Sequence, residues 1–142
     1  MNHITIYTDG AYSSSRKQGG VGVVFVKNDS VVGTISKMFQ NVTNNKMELA
    51  AVIMALKNVL KNKWEDVTIV TDSQYVIGCA AQGWKRKKNE RLWYRFDLLK
   101  QELDSRKINI NFSWVHGHNG DKYNEIADKL AVEASQELNL KF

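Results

Sequence analysis

The sequence predicts an α/β fold in which a five-stranded mixed sheet, three antiparallel strands followed by two parallel ones, is flanked by helices. Two observations predict it. Residues 4–9 alternate with the period of two expected of a strand and two β-rich runs follow over residues 19–40, whereas the rest of the chain alternates short apolar runs with stretches of helical spacing. A hairpin followed by αβ units places the later strands parallel to the first. With 142 residues, 43% of them apolar and 25% charged, the chain is expected to form one globular domain, residues 1–142, which excludes a disordered or fibrous protein.

The first three elements are predicted to be strands. Residues 5–12, TIYTDGAY, alternate apolar and polar side chains, and the strand is expected to end on Asp9 because Gly10 then frees the backbone. A carboxylate at that point is also typical of an ordinary turn. Residues 19–40 contain two β-rich runs around the turn residues 28–30, Asn-Asp-Ser. This pattern predicts a β-hairpin.

The remaining elements alternate between helix and strand. They are a helix over residues 45–62, a strand over 67–72, a helix that begins at 73–82 and continues over 92–105, a strand over 108–115 and a helix over 123–138. Thr43 and Asn44 are candidate caps of the first helix. The element order is therefore β-β-β-α-β-α-β-α.

Two aspartates occupy equivalent positions in two predicted strands. Asp9 follows IYT and Asp72 follows IVT. If these strands are adjacent and parallel, their ends lie side by side and the two carboxylates come within a few ångströms. Two anions that close are unfavourable unless a cation lies between them, and hard oxygen ligands favour Mg²⁺ or Mn²⁺.

Two further acids can join them. Glu48 lies in the first helix, which can turn it toward the same edge; the alternative is an exposed glutamate that the helix dipole favours. Asp128 follows Ala127 in the last helix and, taken alone, is typical of a surface residue. Four acids from four separate elements together favour a metal site.

Positive charge is concentrated in one segment. The chain has 20 basic and 15 acidic residues, a net charge of +5. Residues 83–93, GWKRKKNERLW, place four consecutive basic residues between two tryptophans. These residues are Lys85, Arg86, Lys87 and Lys88, with Trp84 and Trp93 beside them. Such a run forms either a solvated face or a nucleic-acid surface, and the tryptophans favour the second interpretation, because indoles pack on sugars or bases while lysines hold phosphates.

The sequence also indicates a compartment. No apolar run is long enough to span a membrane, and the strand-like pattern begins too early to leave room for a signal peptide. The lone Cys79 cannot form an internal disulfide and is expected to be a small core residue. We therefore expect a cytoplasmic protein with no membrane partner.

Five motifs in order carry a resemblance to a known family. They are YTDGA around Asp9, TNNKMEL around Glu48, TDSQYV around Asp72, WVHGHNG around His118 and NEIADKLA around Asp128. Over essentially its full length the chain resembles type I ribonuclease H. The resemblance implies an RNase H-like fold and hydrolysis of the RNA strand of RNA/DNA hybrids with two divalent ions, Mg²⁺ or Mn²⁺ as a substitute. It also implies 5′-phosphate and 3′-hydroxyl products, and we expect a monomer.

The resemblance also implies roles for individual residues. Asp9, Glu48, Asp72 and Asp128 would be the metal ligands, with Asp9 bridging both ions. His118 would be a mobile histidine that assists proton movement or product departure. The implied substrate contacts are Asn44, Asn45 and Gln74 in the minor groove, and Thr43 and Asn89 on a phosphate of the DNA strand. The residues themselves add a second set of candidate contacts in the basic segment, namely Trp84, Lys85, Arg86, Lys87 and Lys88.

The chain departs from the family pattern in two places. The loop after Asp9, AYSSSRKQGG, lacks the glycine- and proline-rich sequence of relatives. The basic segment between Gln82 and Leu92 is shorter than in long-form relatives. We expect retained activity with an altered response to salt.

Three other interpretations remain open. A metal-independent ribonuclease could use His116 and His118 as acid and base, but it leaves the four acids unexplained. A non-catalytic module could bind hybrids through the basic run, although it gains nothing from anions that face phosphates. The chain could also be the excised nuclease domain of a reverse transcriptase, although its initiating methionine favours a free-standing enzyme.

Overall fold

The computed structural model of the protein describes residues 2–116 and 121–137. The elements within these ranges are β1 (His3–Ser13), β2 (Gln18–Lys27), β3 (Ser30–Gln40), α1 (Asn44–Lys61), β4 (Asp66–Thr71), α2 (Gln74–Ala81), α3 (Glu90–Ser105), β5 (Asn109–Trp114) and α4 (Lys122–Ser135). The strands form one sheet in the order β3-β2-β1-β4-β5. Strands β1 to β3 are antiparallel, and β4 and β5 run parallel to β1. The predicted mixed sheet is therefore confirmed.

The first strand does not end where the sequence predicted. The parallel ladder between β1 and β4 stops at the pair Thr8 and Thr71, but the antiparallel ladder with β2 continues to Ser13. Asp9 therefore lies within β1, paired with Gly22. The predicted strand end at Asp9 is wrong because only one of the two ladders of β1 ends there.

The predicted element order is also wrong in one element. The single helix expected between the fourth and fifth strands is two helices, α2 and α3, so that the order is β-β-β-α-β-α-α-β-α. The break occupies the residues between them, where Gly83 (φ +73°) and Asn89 (φ +62°) adopt left-handed backbone conformations that cannot continue a helix. This break turns the basic segment into a loop.

Helices cover the sheet on both faces. Ile4 and Ile6 of β1 join Leu49 of α1 in the larger core, which α1, α2 and α3 enclose and to which Cys79 belongs, as expected. The intervening Tyr7 packs with Tyr123 of α4 in a smaller core on the opposite face. The alternation along β1 thus places α1 and α4 on opposite sides of the same strand. In the described ranges, none of the helices has both the length and the apolar character needed to cross a membrane.

Candidate metal centre and nucleic-acid groove

Three carboxylates from three elements meet at one edge of the sheet. Asp9 of β1, Glu48 of α1 and Asp72, which follows β4, each place a carboxylate oxygen within 4.8 Å of the others. Because the β1–β4 ladder ends at Thr8 and Thr71, the next residue of each strand, Asp9 and Asp72, emerges side by side. The predicted proximity of the two aspartates is therefore confirmed. The exposed alternative for Glu48 is wrong, since only 7% of this residue is accessible to solvent.

Two glycines allow helices to approach Asp9 from both faces of the sheet. A Cβ atom at Gly10 would collide with the backbone of Glu48, and one at Gly22, the ladder partner of Asp9, would collide with the backbone of Ala127 in α4. Both contacts would be closer than real Cβ atoms come. Because neither position carries a side chain, α1 and α4 pack directly against the strand backbone beside Asp9. The sequence showed these glycines, but their role was not predicted.

The fourth predicted acid lies beside this cluster. Asp128 is half-buried in α4, next to Ala127, and a hydrogen bond with it contributes to the raised pKa of Asp9. It is not among the three residues whose oxygens all lie within 4.8 Å of one another. The structure thus brings the four acids to one place, with Asp128 at the margin.

The cluster resists full ionisation without a cation. Burial, followed by the negative charge of Glu48, raises the pKa of Asp9 well above its ordinary value. Burial also raises the pKa of Glu48, although a hydrogen bond with Asp9 and the Gly10 N–H oppose this effect. That N–H donates to Asp9 Oδ1 at 2.9 Å and to Glu48 Oε1. An all-oxygen donor set with raised pKa values fits a divalent cation such as Mg²⁺ or Mn²⁺, whose charge would offset the repulsion.

Asn124 is a residue that the sequence interpretation missed. It is 2% exposed and lies one turn before Asp128 on the same side of α4. Within the described ranges its Oδ1 atom is buried and has no hydrogen-bond partner, an arrangement that costs about 1–3 kcal/mol unless water or an ion supplies one. The NEIAD motif contained the signal, because its asparagine and aspartate are four residues apart in a helix.

A groove of about 660 Å³ lies at the starts of α1 and α3. Among its lining residues are most of the predicted substrate contacts, and we call it the basic groove. These are Thr43, Asn44, Asn45, Trp84, Lys85, Lys87, Lys88 and Asn89. Thr43 also caps α1, since its Oγ1 accepts from the Lys46 N–H at 3.2 Å. The Asn89 side chain is held by donating to Tyr75 Oη at 3.0 Å.

Trp84 lines both the basic groove and a second cavity close to Asp72. Half of this residue is exposed, and its indole packs against Gly78 of α2, where a Cβ atom would overlap the ring. Trp84 and Gln74 also line a neighbouring cavity of about 320 Å³ together with Trp114. The Trp114 indole N–H donates to the backbone oxygen of Asp72 at 3.2 Å. Gln74 therefore lies between the basic groove and the acidic cluster.

Arg86 and Trp93 face the protein interior and not the basic groove. The Arg86 guanidinium donates to both carboxylate oxygens of Asp97 at 2.9 and 2.8 Å and lies 4.3 Å above the Trp93 ring. Trp93 is 2% exposed, and its indole N–H donates to Tyr75 Oη. The expectation that Trp93 packs on nucleic acid is wrong, because the helical spacing of α3 turns this side chain into the core. Arg86 is therefore paired within the chain, whereas no acid in the described part of the chain pairs with the three exposed lysines.

Of the two histidines of the WVHGHNG motif, His116 lies within the described residues and His118 lies outside them. His116 is exposed, and its ring packs edge-on against Trp114 with 4.3 Å between the ring centroids.

Comparison with known proteins agrees with this fold and site. The RNase H family model matches residues 1–136. The ribonuclease H of Trichodesmium erythraeum is 38% identical, over 96% of this chain and 91% of the relative, and that of Desulforamulus reducens is 39% identical, over 99% and 92%. The solved structure of LC11-RNase H1 in complex with an RNA/DNA hybrid aligns with a TM-score of 0.77 at 25% identity, over 94% and 96% of the two chains.

A mixed sheet that brings carboxylates together beside a basic groove is typical of a metal-dependent enzyme that acts on nucleic acid. The chain belongs to the ribonuclease H family of nucleases. Members of this family use divalent metal ions, and the chain has a cluster of three carboxylates that could hold such an ion. The resemblance noted in the sequence is therefore confirmed.

Proposed function

We propose that the protein is an endonuclease that hydrolyses the RNA strand of RNA/DNA hybrids and leaves 5′-phosphate and 3′-hydroxyl ends. The observation that carries the proposal is the meeting of three carboxylates within 4.8 Å beside a groove lined by exposed lysines and amide side chains. The hybrid bound to LC11-RNase H1 supports the substrate class.

Asp9, Glu48, Asp72 and Asp128 would hold two Mg²⁺ ions, with Asp9 shared between them, and Mn²⁺ would be a substitute. When bound, such ions neutralise charge on the phosphate and lower the pKa of a water molecule. The chain's own contribution is to fix the carboxylates. The Gly10 N–H donates to two of them, and the close backbone contacts keep α1 against Gly10 of β1 and α4 against Gly22 of β2.

The amides near the cluster suit recognition of the hybrid. Asn44, Asn45 and Gln74 carry side chains that both donate and accept hydrogen bonds, as contacts with 2′-hydroxyls and base edges in a minor groove require. Thr43 and Asn89 line the same basic groove and would hold a phosphate of the DNA strand.

The exposed part of the basic segment would bind the backbone further out. Lys85, Lys87 and Lys88 are exposed and line the basic groove, where they would contact phosphates. The open face of Trp84 would pack on a sugar or base. Arg86, paired with Asp97, would support the segment rather than bind phosphate itself.

The role of His118, the monomeric state and a cytoplasmic location stay predictions.

A cleavage assay tests the proposal. Labelled RNA/DNA, RNA/RNA, DNA/DNA and single-stranded RNA are incubated with the protein in Mg²⁺ and in excess chelator. We expect cutting of the RNA in the hybrid alone, and only with Mg²⁺. Comparable cutting of free RNA would contradict the substrate class, and undiminished cutting in chelator would favour the histidine mechanism.

The Asp9→Asn variant separates an enzyme from a binding module. We expect it to lose turnover while it still binds the hybrid, because the basic groove is unchanged. Asp104→Asn, an exposed acid on α3, is the matched control and should cleave normally. If the wild-type protein binds the hybrid and does not cut it under any of these conditions, the binding module is the better account.

A further inference from the structure

A second groove runs along the outer side of α1, away from the carboxylates. It has a volume of about 370 Å³ and lies between the edge strand β3 and α3. We call it the lateral groove. Its rim carries Lys37, Lys57, Lys61 and Arg95, and its apolar lining includes Phe39 and Met54.

Within residues 2–116 and 121–137, the cations of the lateral groove have no acidic partners. All four are exposed, and no aspartate or glutamate of the described ranges lines the lateral groove. None of them is in an ion pair with a described acid, whereas basic residues elsewhere, such as Lys100 and Arg106, are paired. Glu102, which lines the adjoining depression, is the partner of Arg106.

The lateral groove concentrates positive charge beside an aromatic ring. Lys57 and Lys61 are four residues apart on α1, where like charges repel. The Lys37 ammonium lies 5.3 Å from the centroid of the Phe39 ring. Cations beside an accessible aromatic ring form the combination that binds single-stranded nucleic acid, whose phosphates pair with the cations while its bases contact apolar surface. A duplex presents only sugar and phosphate to such a floor.

The lateral groove continues the path of the basic groove. The basic groove is lined by the first residues of α1 and by Asn89, the residue before α3, and the lateral groove is lined by later residues of the same helices. The two helices run side by side in the same direction, since Arg106 near the end of α3 donates to the backbone oxygen of Leu60 near the end of α1. A strand that leaves the basic groove therefore meets the lateral groove next.

We propose that the lateral groove binds a single-stranded extension of the nucleic acid whose hybrid portion occupies the basic groove. The proposal rests on the proposed function, because it takes the hybrid as the substrate. The α1 segment from Ala50 to Lys61 is about 17 Å long, which is long enough for a few nucleotides of a single strand.

Binding measurements on matched ligands test it. One is a blunt hybrid of about one helical turn, and the others carry a single-stranded DNA extension at the 5′ or the 3′ end. Fluorescence anisotropy without divalent ions gives the Kd at several salt concentrations. We expect one extension to tighten binding severalfold and to steepen the salt dependence by about 0.7 in log–log slope for each phosphate contact.

Two charge reversals locate the effect. Lys57→Glu should abolish the gain from the extension and leave binding and cleavage of the blunt hybrid unchanged. Lys129→Glu makes the same charge change at an exposed position of α4, on the opposite face of the sheet, and should preserve the gain. Far-ultraviolet circular dichroism checks that both variants are folded.

The outcomes are distinguishable. Equal affinity for blunt and extended hybrids, or equal loss in both variants, would overturn the proposal. Displacement of the extension by poly-glutamate as readily as by single-stranded DNA of equal charge would also overturn it, since the lateral groove would then attract any polyanion. Failure to cut the blunt hybrid in Mg²⁺ would count against the proposed function instead, whatever the lateral groove binds.

Discussion

The acidic cluster and the basic groove lie next to each other but are built in opposite ways. Asp9 and Glu48 are buried, and the helix that carries Glu48 rests on the backbone of Gly10. The lysines of the basic groove are exposed on an irregular loop between α2 and α3. Packing thus fixes the spacing of the carboxylates, on which the proposed chemistry depends. Binding to a phosphate backbone is left to side chains that can adjust.

The largest expected effect comes from removing one charge of the cluster. Asp9→Asn should lower kcat on the hybrid about 1000-fold, because several kcal/mol of charge stabilisation are lost. Its Kd for the hybrid should change little. Steady-state kinetics and anisotropy on the same preparation measure both quantities. A large loss of affinity with kcat intact would mean that the acidic cluster contributes to binding and not to turnover.

A change that adds no charge tests the packing. Gly10→Ala should reduce the free energy of unfolding by about 2–4 kcal/mol and abolish cleavage, since the new methyl group displaces α1 and with it Glu48. Gly33→Ala is the control, because a Cβ atom there meets only ordinary contacts. Urea unfolding measures both variants. Equal effects of the two substitutions would show that the close approach at Gly10 is unimportant.

The raised pKa values predict how the metal-free protein responds to pH. The pKa of Asp9 is higher in the folded than in the unfolded state, so unfolding releases protons and the free energy of unfolding falls as pH rises above about 4. Asp9→Asn removes this loss and should stabilise the metal-free protein at pH 8 by on the order of 2 kcal/mol, with a smaller gain at pH 5.

Urea unfolding at the two pH values, with and without Mg²⁺, measures this effect. Mg²⁺ should stabilise the wild-type protein at pH 8 more than it stabilises the variant. A gain from Asp9→Asn that is equal at both pH values would indicate that the charge of Asp9 is not the cause.

The smallest effects distinguish two neighbours within the basic segment. Lys87→Gln should weaken hybrid binding severalfold and reduce its salt dependence by about one unit of log–log slope, with stability unchanged. Arg86→Gln should lower stability by about 1 kcal/mol through loss of the Asp97 pair and the contact with Trp93, with a lesser effect on the salt dependence. The reverse pattern would mean that Arg86 binds phosphate after all.

Periodicity predicted most of the fold. Alternation in the strands and helical spacing in the helices were sufficient for the sheet, and the matching ends of IYTD and IVTD were sufficient for the contact between Asp9 and Asp72. The extension of β1 to Ser13 was not predictable in this way, because it depends on the register with β2. The break at Gly83 depends on backbone conformation in a short loop.

The site was predictable in composition but not in packing. The burial of Trp93 and the pairing of Arg86 depend on which side of α3 packs against the core. A run of basic residues in the sequence does not indicate that side. The roles of Gly10 and Gly22 depend on contacts between segments far apart in the chain. The spacing of four residues places Asn124 and Asp128 on the same side of α4, but the burial of the Asn124 oxygen without a partner among the described residues depends on how α4 packs.

The most direct test is to locate the ions. Crystals of the protein are soaked in Mn²⁺, and anomalous diffraction is recorded at a wavelength where manganese scatters strongly. We expect anomalous peaks among the carboxylates of Asp9, Glu48 and Asp72. Carboxylates that stay together with no manganese between them, at a concentration that supports cleavage, would contradict it.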